Sequence, residues 1–188
     1  MALLIPILYY LMPQRLAILL MAITTITFLV IDFLRLHLNP FKGIFIILFG
    51  SLLRRKEFTS LTGGSYLMLA SLVCILIFGS SQSGRGVFIA AVSFLIIGDT
   101  VAAIVGIAVG SIRIFRKTLE GTVSGLASCI GVAYIVSILP GLDLPLSIGI
   151  LGAVSASVVE ALPIEVNDNV VVPVLSGAIM MVGLQFMR

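Results

Sequence analysis

Asp99 stands inside a stretch of otherwise uncharged, mostly apolar residues, Gly98-Asp99-Thr100-Val101-Ala102-Ala103-Ile104-Val105-Gly106. A basic loop follows, with Arg113, Arg116 and Lys117 ahead of Thr118-Leu119-Glu120-Gly121. An ionised carboxylate in an apolar span costs at least about 2.5–3.5 kcal/mol on insertion scales, so a partner or a metal ion has to offset it. The fixed positive charge of Arg113, Arg116 and Lys117 suits phosphate. Asp99 and Glu120 together suit a divalent ion, because magnesium takes one or two carboxylates and fills its other positions with phosphate oxygens and water. A simpler use exists for each part. The small face of Ala102, Ala103, Gly106 and Gly110 fits a helix-packing seam, and the basic loop fits an anchor on the cytoplasmic side. Neither use explains Asp99.

Two further groups carry charge. Glu160 precedes Leu162-Pro163-Ile164-Glu165-Val166-Asn167-Asp168-Asn169, three acids with no basic residue among them, followed by Pro173 in an apolar run. Like charges this close call for a cation or for basic residues from elsewhere in the chain. Asp168 or Asn169 also suits the N-cap of the last helix; Glu160 has no such role. The other group is Arg54-Arg55-Lys56-Glu57-Phe58-Thr59-Ser60-Leu61-Thr62-Gly63-Gly64. Its basic end suits anionic headgroups and equally a nucleoside triphosphate.

The elements that position these residues follow from composition. Of 188 residues, 60% are apolar and only 10% charged, with a mean hydropathy of +1.28; a soluble domain carries roughly 25% charged residues. A water-soluble enzyme, a disordered chain and a secreted disulfide scaffold are excluded. Apolar runs occur at about 16–34, 64–79, 87–109, 121–139, 144–162 and 170–187. Lipid cannot hydrogen-bond the backbone, so such runs predict helices, and no strand-like alternation is visible. The expected fold is an all-α, polytopic transmembrane bundle of about six spans forming one domain over 1–188. A shorter run at 43–53 reads as an interfacial helix, and the opening run Leu3–Met12, ended by Pro13, is too short to span. Cys74 and Cys129 lie in apolar runs, His37 has no zinc-ligating companions, and no basic stripe interleaved with aromatics suggests nucleic acid.

Eight of the eleven basic residues thread to one side: Arg35, Lys42, Arg54, Arg55, Lys56, Arg113, Arg116 and Lys117. Arg15, Arg85 and Arg188 are left on the other. Basic loops mark the cytoplasmic face. Glu57, Glu120, Glu160, Glu165 and Asp168 fall at or near that face, and Asp99 points toward it from within a span. The polar residues gather where a membrane-embedded site would meet a water-soluble cytoplasmic substrate.

Taken in order, these segments resemble the CTP-dependent lipid-alcohol kinases, the family of dolichol kinase, phytol kinase and CTP-dependent diacylglycerol kinase. The likeness rests on Gly98-Asp99-Thr100-x-Ala102-Ala103-x-x-Gly106, on Lys117-Thr118-Leu119-Glu120-Gly121, and on Glu160 with Asp168-Asn169-x-x-x-Pro173. Arg55-x-Glu57 and Leu61-Thr62-Gly63 add to it, so that it covers about residues 50–180. Phosphatidate cytidylyltransferases share the Asp and Lys-Thr-x-Glu-Gly arrangement. They add a C-terminal Lys-Asp and His-Gly-Gly-x-x-Asp-Arg signature that this sequence lacks.

The resemblance implies transfer of the γ-phosphoryl of CTP to the hydroxyl of a membrane lipid alcohol, with magnesium. It implies catalytic roles for Asp99, Lys117 and Glu120, and magnesium ligands among Asp99, Glu120, Glu160 and Asp168. Nucleotide contacts are expected from Arg54, Arg55, Arg113, Arg116, Lys117, Thr118, Gly121 and Asn169. Asp99 is the expected base for the lipid hydroxyl, and its small-residue face is the expected path for an alcohol arriving laterally from the bilayer. Family members carry an Arg-Lys and His element just before a run like Leu4–Tyr9. Met1 falls within that region here, so the opening run is expected to be the end of a truncated or late-started first helix. A transporter built around Asp99 is the remaining alternative, although no internal repeat of the transporter kind is visible.

Overall fold

In the computed structural model, the described residues are 2–38, 41–43, 45, 47, 50, 55–79, 81–115, 117–163 and 166–187. Each apolar run is a helix. The helices are α1 (Leu4–Leu11), α2 (Gln14–His37), α3 (Gly63–Phe78), α4 (Gln82–Val109), α5 (Leu119–Ile138), α6 (Leu146–Ala161) and α7 (Asp168–Phe186). A single 3-10 turn, Arg55–Phe58, precedes α3. The interfacial helix expected over 43–53 falls largely outside the described residues. Among the described residues, one pair of strands interrupts the helices: a hairpin of β1 (Arg113–Ile114) and β2 (Lys117–Thr118), between α4 and α5.

Among the described residues, four helices (α2, α4, α5 and α7) are long and apolar enough to cross a membrane, which is consistent with an integral membrane protein. The apolar helices α3 and α6, at 16 residues each, are shorter. At 1.5 Å per residue each measures about 24 Å, somewhat less than a hydrocarbon core of about 30 Å.

The helix starts follow ordinary capping chemistry. The hydroxyls of Thr62, Ser81 and Thr118 accept from the backbone N–H of Ser65, Gly84 and Gly121, at 3.3, 3.0 and 3.2 Å. At α7 the cap is Asn167, whose side chain accepts from Asn169 N at 3.0 Å. This displaces the expectation of Asp168 or Asn169. Asn167 keeps an extended backbone (ψ 124°) while Asp168 is already helical, and only the residue outside the first turn can reach back to cap it. Within α2, the hydroxyls of Thr24, Thr25 and Thr27 return to carbonyls four residues back, at 2.7–2.8 Å. An apolar environment thus finds their polar groups satisfied.

The central helix is α4. Of its most apolar window 61% is buried, against about a third or less for the other three long helices. It packs on α5 through small residues spaced by four on both sides, Gly98, Ala102 and Gly106 against Gly121, Gly125 and Cys129. A Cβ on Gly121 would lie 2.6 Å from the Ala102 carbonyl oxygen, and one on Gly125 would lie 3.1 Å from the Ala102 methyl. This seam fixes how far α4 and α5 stand apart, and α6 and α7 continue the layer. At the far end, α1 is pinned by Tyr9. Its hydroxyl donates to the Gly79 carbonyl at 3.4 Å, its ring meets Phe88 edge-on, and Arg85 lies over its face.

Candidate functional site

Asp99 begins the last three turns of α4, directly after a π-helical turn, Phe94–Gly98. A π turn widens the helix by one residue and leaves carbonyls askew; here the Cys129 thiol donates to the Phe94 carbonyl at 3.7 Å. Gly98 leaves the gap that the neighbouring helices fill. A Cβ on it would lie 2.7 Å from Cys129 Sγ and 3.8 Å from Glu160 Oε2. Asp99 therefore sits beside the closest approach of α4, α5 and α6.

Lys117 reaches this point from the hairpin. Its base is laid along α4, where Thr118 packs on the bare backbone of Gly106 and Gly110. The register pairs Arg113 with Thr118 and Ile114 with Lys117. The Lys117 ammonium donates to Asp99 Oδ1 at 3.0 Å and also to Glu160 Oε1. Glu160, in the last turn of α6, is 8% exposed, whereas the Asp99 side chain is 47% exposed and that of Lys117 23%. One ammonium thus joins two carboxylates from separate helices, and one of the two carboxylates is open. Burial works to lower the Lys117 pKa, but the Glu160 and Asp99 carboxylates outweigh it and hold the pKa above the ordinary lysine value.

Beside this cluster lies a cavity of about 550 Å³. Asp99, Lys117 and Arg113 give its lining charge; Ala103, Ile107 and Phe115 give it apolar surface. That volume lies within the range of small-molecule sites.

Other expected site residues take different places. Glu120 turns from the cluster. Its carboxylate accepts from the Ser111 hydroxyl and, at 3.2 Å, from Ile112 N, so it closes the turn leading into the hairpin. Thr118 caps α5, and Gly121 lies in the α4–α5 seam. Asn169 donates from Nδ2 to the Gly63 carbonyl at 3.0 Å, tying α7 to the start of α3, and Asp168 is the first residue of α7. Arg54, Arg116 and Glu165 lie outside the described residues, as do the side chains of Arg55 and Lys56. Among the described residues, no three His, Cys, Asp or Glu side chains converge as a ready-made metal cage.

A second charged cluster has no counterpart in the sequence reading. Asp32 and Arg35, one turn apart in α2, are 1% and 3% exposed and form an ion pair at 3.0 Å. Asp32 Oδ2 also accepts from Thr62 N at 2.7 Å, Thr62 Oγ1 at 3.0 Å and Ser65 Oγ at 2.6 Å. Arg35 donates to the carbonyls of Glu57 and Ser60 at 2.9 and 2.8 Å. The Glu57 carboxylate accepts from Gly63 N at 2.8 Å. Arg35 is therefore not an exposed loop charge but a buried clamp on the segment before α3. The signal was present in the sequence. An Asp-x-x-Arg pair inside or at the end of an apolar run places opposite charges on one helical face, and a lone acid there needs such a partner.

Comparison with known proteins gives one informative match. The chain is 28% identical over 178 residues to an uncharacterized protein of Rickettsia prowazekii (strain Madrid E), across 92% of this chain and 84% of that one. No protein-family model matches the chain, and no solved structure matches it.

Proposed function

We propose that this protein is a CTP-dependent kinase of a membrane lipid alcohol. The observation that carries the reading is the Asp99–Lys117–Glu160 cluster, of which Asp99 and Lys117 line a cavity that also has apolar walls. Phosphoryl transfer asks a protein mainly for positioning and charge neutralisation. Lys117 is poised to exchange one carboxylate for a phosphate oxygen. Arg113, on the same cavity, adds a second positive charge. Asp99, the more open carboxylate, is the group to accept the proton of the acceptor hydroxyl. The new bond joins the acceptor oxygen to the γ-phosphorus, the bond from that phosphorus to the β-phosphate oxygen breaks, and CDP leaves.

Asp99 and Glu160 are the carboxylates that would hold magnesium. They are hard oxygen donors facing one cationic position, now taken by the Lys117 ammonium, and magnesium needs no more than two carboxylates when phosphates complete its shell. Bound there, the ion would supply charge neutralisation to the phosphates. Glu120, engaged by Ser111 and Ile112, stands outside that donor set.

The same reading takes α3 and α6 as spans, making six crossings, with the hairpin and the starts of α3, α5 and α7 at the cytoplasmic face. The basic loops support that orientation, and so does the need to receive a water-soluble nucleotide.

The test uses purified protein, magnesium, mixed lipid alcohols and CTP labelled either at the γ-phosphate or in the cytosine. Label in lipid from the γ position alone is the expected result. Cytosine label in lipid would make the protein a cytidylyltransferase, and no label from either would remove both enzymatic readings.

A further inference from the structure

The hairpin carries a residue that its turn does not favour. The register pairs Ile114 with Lys117, and Phe115 follows directly on β1, at the turn. Phe115 has φ 54°, in the left-handed region. Two-residue hairpin turns need such an angle, and glycine, asparagine or aspartate normally provide it. A bulky side chain held there is strained, and strain of this kind persists where it serves a purpose. Packing is not the purpose, since Phe115 is 67% exposed. Ile107, on the last turns of α4, is 88% exposed, and Val109 and Ile112, between it and the hairpin in sequence, are exposed too. Ile107 and Phe115 line one cavity with the exposed Arg113, an apolar patch with a cation at its edge. In water such a patch would be a liability. At a bilayer it is an insertion surface, with the arginine stem suited to reach back toward headgroups.

The patch and the cavity share residues. Ile107 and Phe115 are apolar parts of its lining, which also holds Asp99 and Lys117. Thr118 packed on Gly106 and Gly110 holds the base of the hairpin to α4, so the tip is the part that projects. A molecule suited to this layout has a hydroxyl for Asp99 and a long hydrocarbon tail leaving past Phe115 and Ile107.

We propose that the Phe115 hairpin tip inserts among the lipid chains and forms the lateral gate through which a long-chain alcohol brings its hydroxyl to Asp99 and Lys117. The acceptor's role rests on the kinase reading above; the gate itself is tested without CTP.

The chain contains no tryptophan, so Phe115→Trp introduces a single tryptophan, excited selectively at the red edge of its absorption. In phosphatidylcholine/phosphatidylglycerol vesicles its emission should be blue-shifted, quenched by dibrominated phosphatidylcholine and nearly insensitive to acrylamide. A dibrominated long-chain alcohol at the same mole fraction should quench more strongly than the dibrominated phospholipid. Quenching by acrylamide as in free tryptophan would overturn insertion, and equal quenching by brominated alcohol and phospholipid would overturn the gate. Stronger quenching by the alcohol in a protein that transfers no label from CTP would leave the gate standing and remove the kinase reading. In an active protein, Phe115→Gly relieves the backbone strain and removes the ring. The KM for the alcohol should then rise on the order of tenfold, the loss expected for one aromatic contact, while the KM for CTP stays put. Equal changes in both constants would overturn the proposal.

Discussion

The molecule holds two charged clusters of similar composition and different construction. At Asp32–Arg35 the Asp32 carboxylate is surrounded by Arg35, Thr62 and Ser65, Arg35 grips two backbone carbonyls, and both side chains are almost wholly buried. At Asp99–Lys117–Glu160 a single ammonium serves two carboxylates, and nearly half of the Asp99 side chain is exposed beside a cavity. A buried pair whose hydrogen-bonding groups are nearly all matched by its own protein has little left to offer a ligand. A cluster with a surplus carboxylate and an open side does have something to offer. On the proposed function, the contrast separates a structural use of charge from a chemical one, although the acids of both clusters sit in helices of apolar composition.

The sharpest way to break this comparison is Lys117→Met. It should lower phosphoryl transfer by about a thousandfold or more, as loss of a charge-stabilising group does. By thermal unfolding in detergent it should cost less stability than a break in the Asp32–Arg35 pair. Of the two carboxylates it strands, Asp99 is open to solvent and only Glu160 is buried. Loss of fold together with activity would make the two clusters alike. Asp32→Ala should do the reverse, destabilising by about 3–5 kcal/mol because it leaves Arg35 buried without its counter-ion. Activity per folded molecule should be retained. Replacing both members with apolar residues, Asp32→Leu with Arg35→Met, should recover much of that loss, measured by unfolding in the same detergent.

Gly121→Ala probes the frame that holds the Asp99–Lys117–Glu160 cluster. Its Cβ meets the Ala102 backbone, so α4 and α5 must part, at about 1–3 kcal/mol by analogy with overpacked cores. Activity should fall with stability. Glu120→Gln should change activity only a few-fold, as the amide can still accept from Ser111 and Ile112; a loss near a hundredfold would bring Glu120 into the chemistry. The smallest effect is on pH. With its folded pKa raised above 10.5, Lys117 contributes stability that is fully present below that value and lost only as pH rises through the folded pKa. Stability between pH 6 and 9 should therefore show no step from this group, as followed by unfolding across that range.

Much of this architecture was legible along the chain. The run at 121–139 became Leu119–Ile138 and that at 170–187 became Asp168–Phe186. The small-residue face around Asp99 proved to be a packing seam on one flank, with Asp99 itself beside it. Asp99, Lys117 and Glu160 were all singled out by type and position, and they meet. Glu120 was placed with them because of its nearness to Lys117 in sequence, but the first turn of α5 carries its carboxylate round to Ser111. Asn169, expected at a nucleotide, is occupied by Gly63, far away in the sequence. The hairpin was invisible, since two strands of two residues leave no periodicity to detect. Asp32 was overlooked although Arg35, its counter-ion, stands three residues on; its other partners, Thr62 and Ser65, are uncharged and remote in sequence.

What the sequence by itself determined is that these segments are helices of apolar surroundings and that its few charges are scarce enough to matter. Both facts are local: a run of apolar residues satisfies its backbone only within itself, whatever its neighbours do. Which charges meet was decided by the tertiary structure. The glycines at 98, 106, 110 and 121 set the distances between α4, α5 and the hairpin. Those distances bring the Lys117 ammonium to Asp99 and Glu160, whereas Asp32 and Arg35 pair within one turn of α2. Pairing depends on separations of about 3 Å between side chains from distant parts of the chain, and only packing fixes separations of that size.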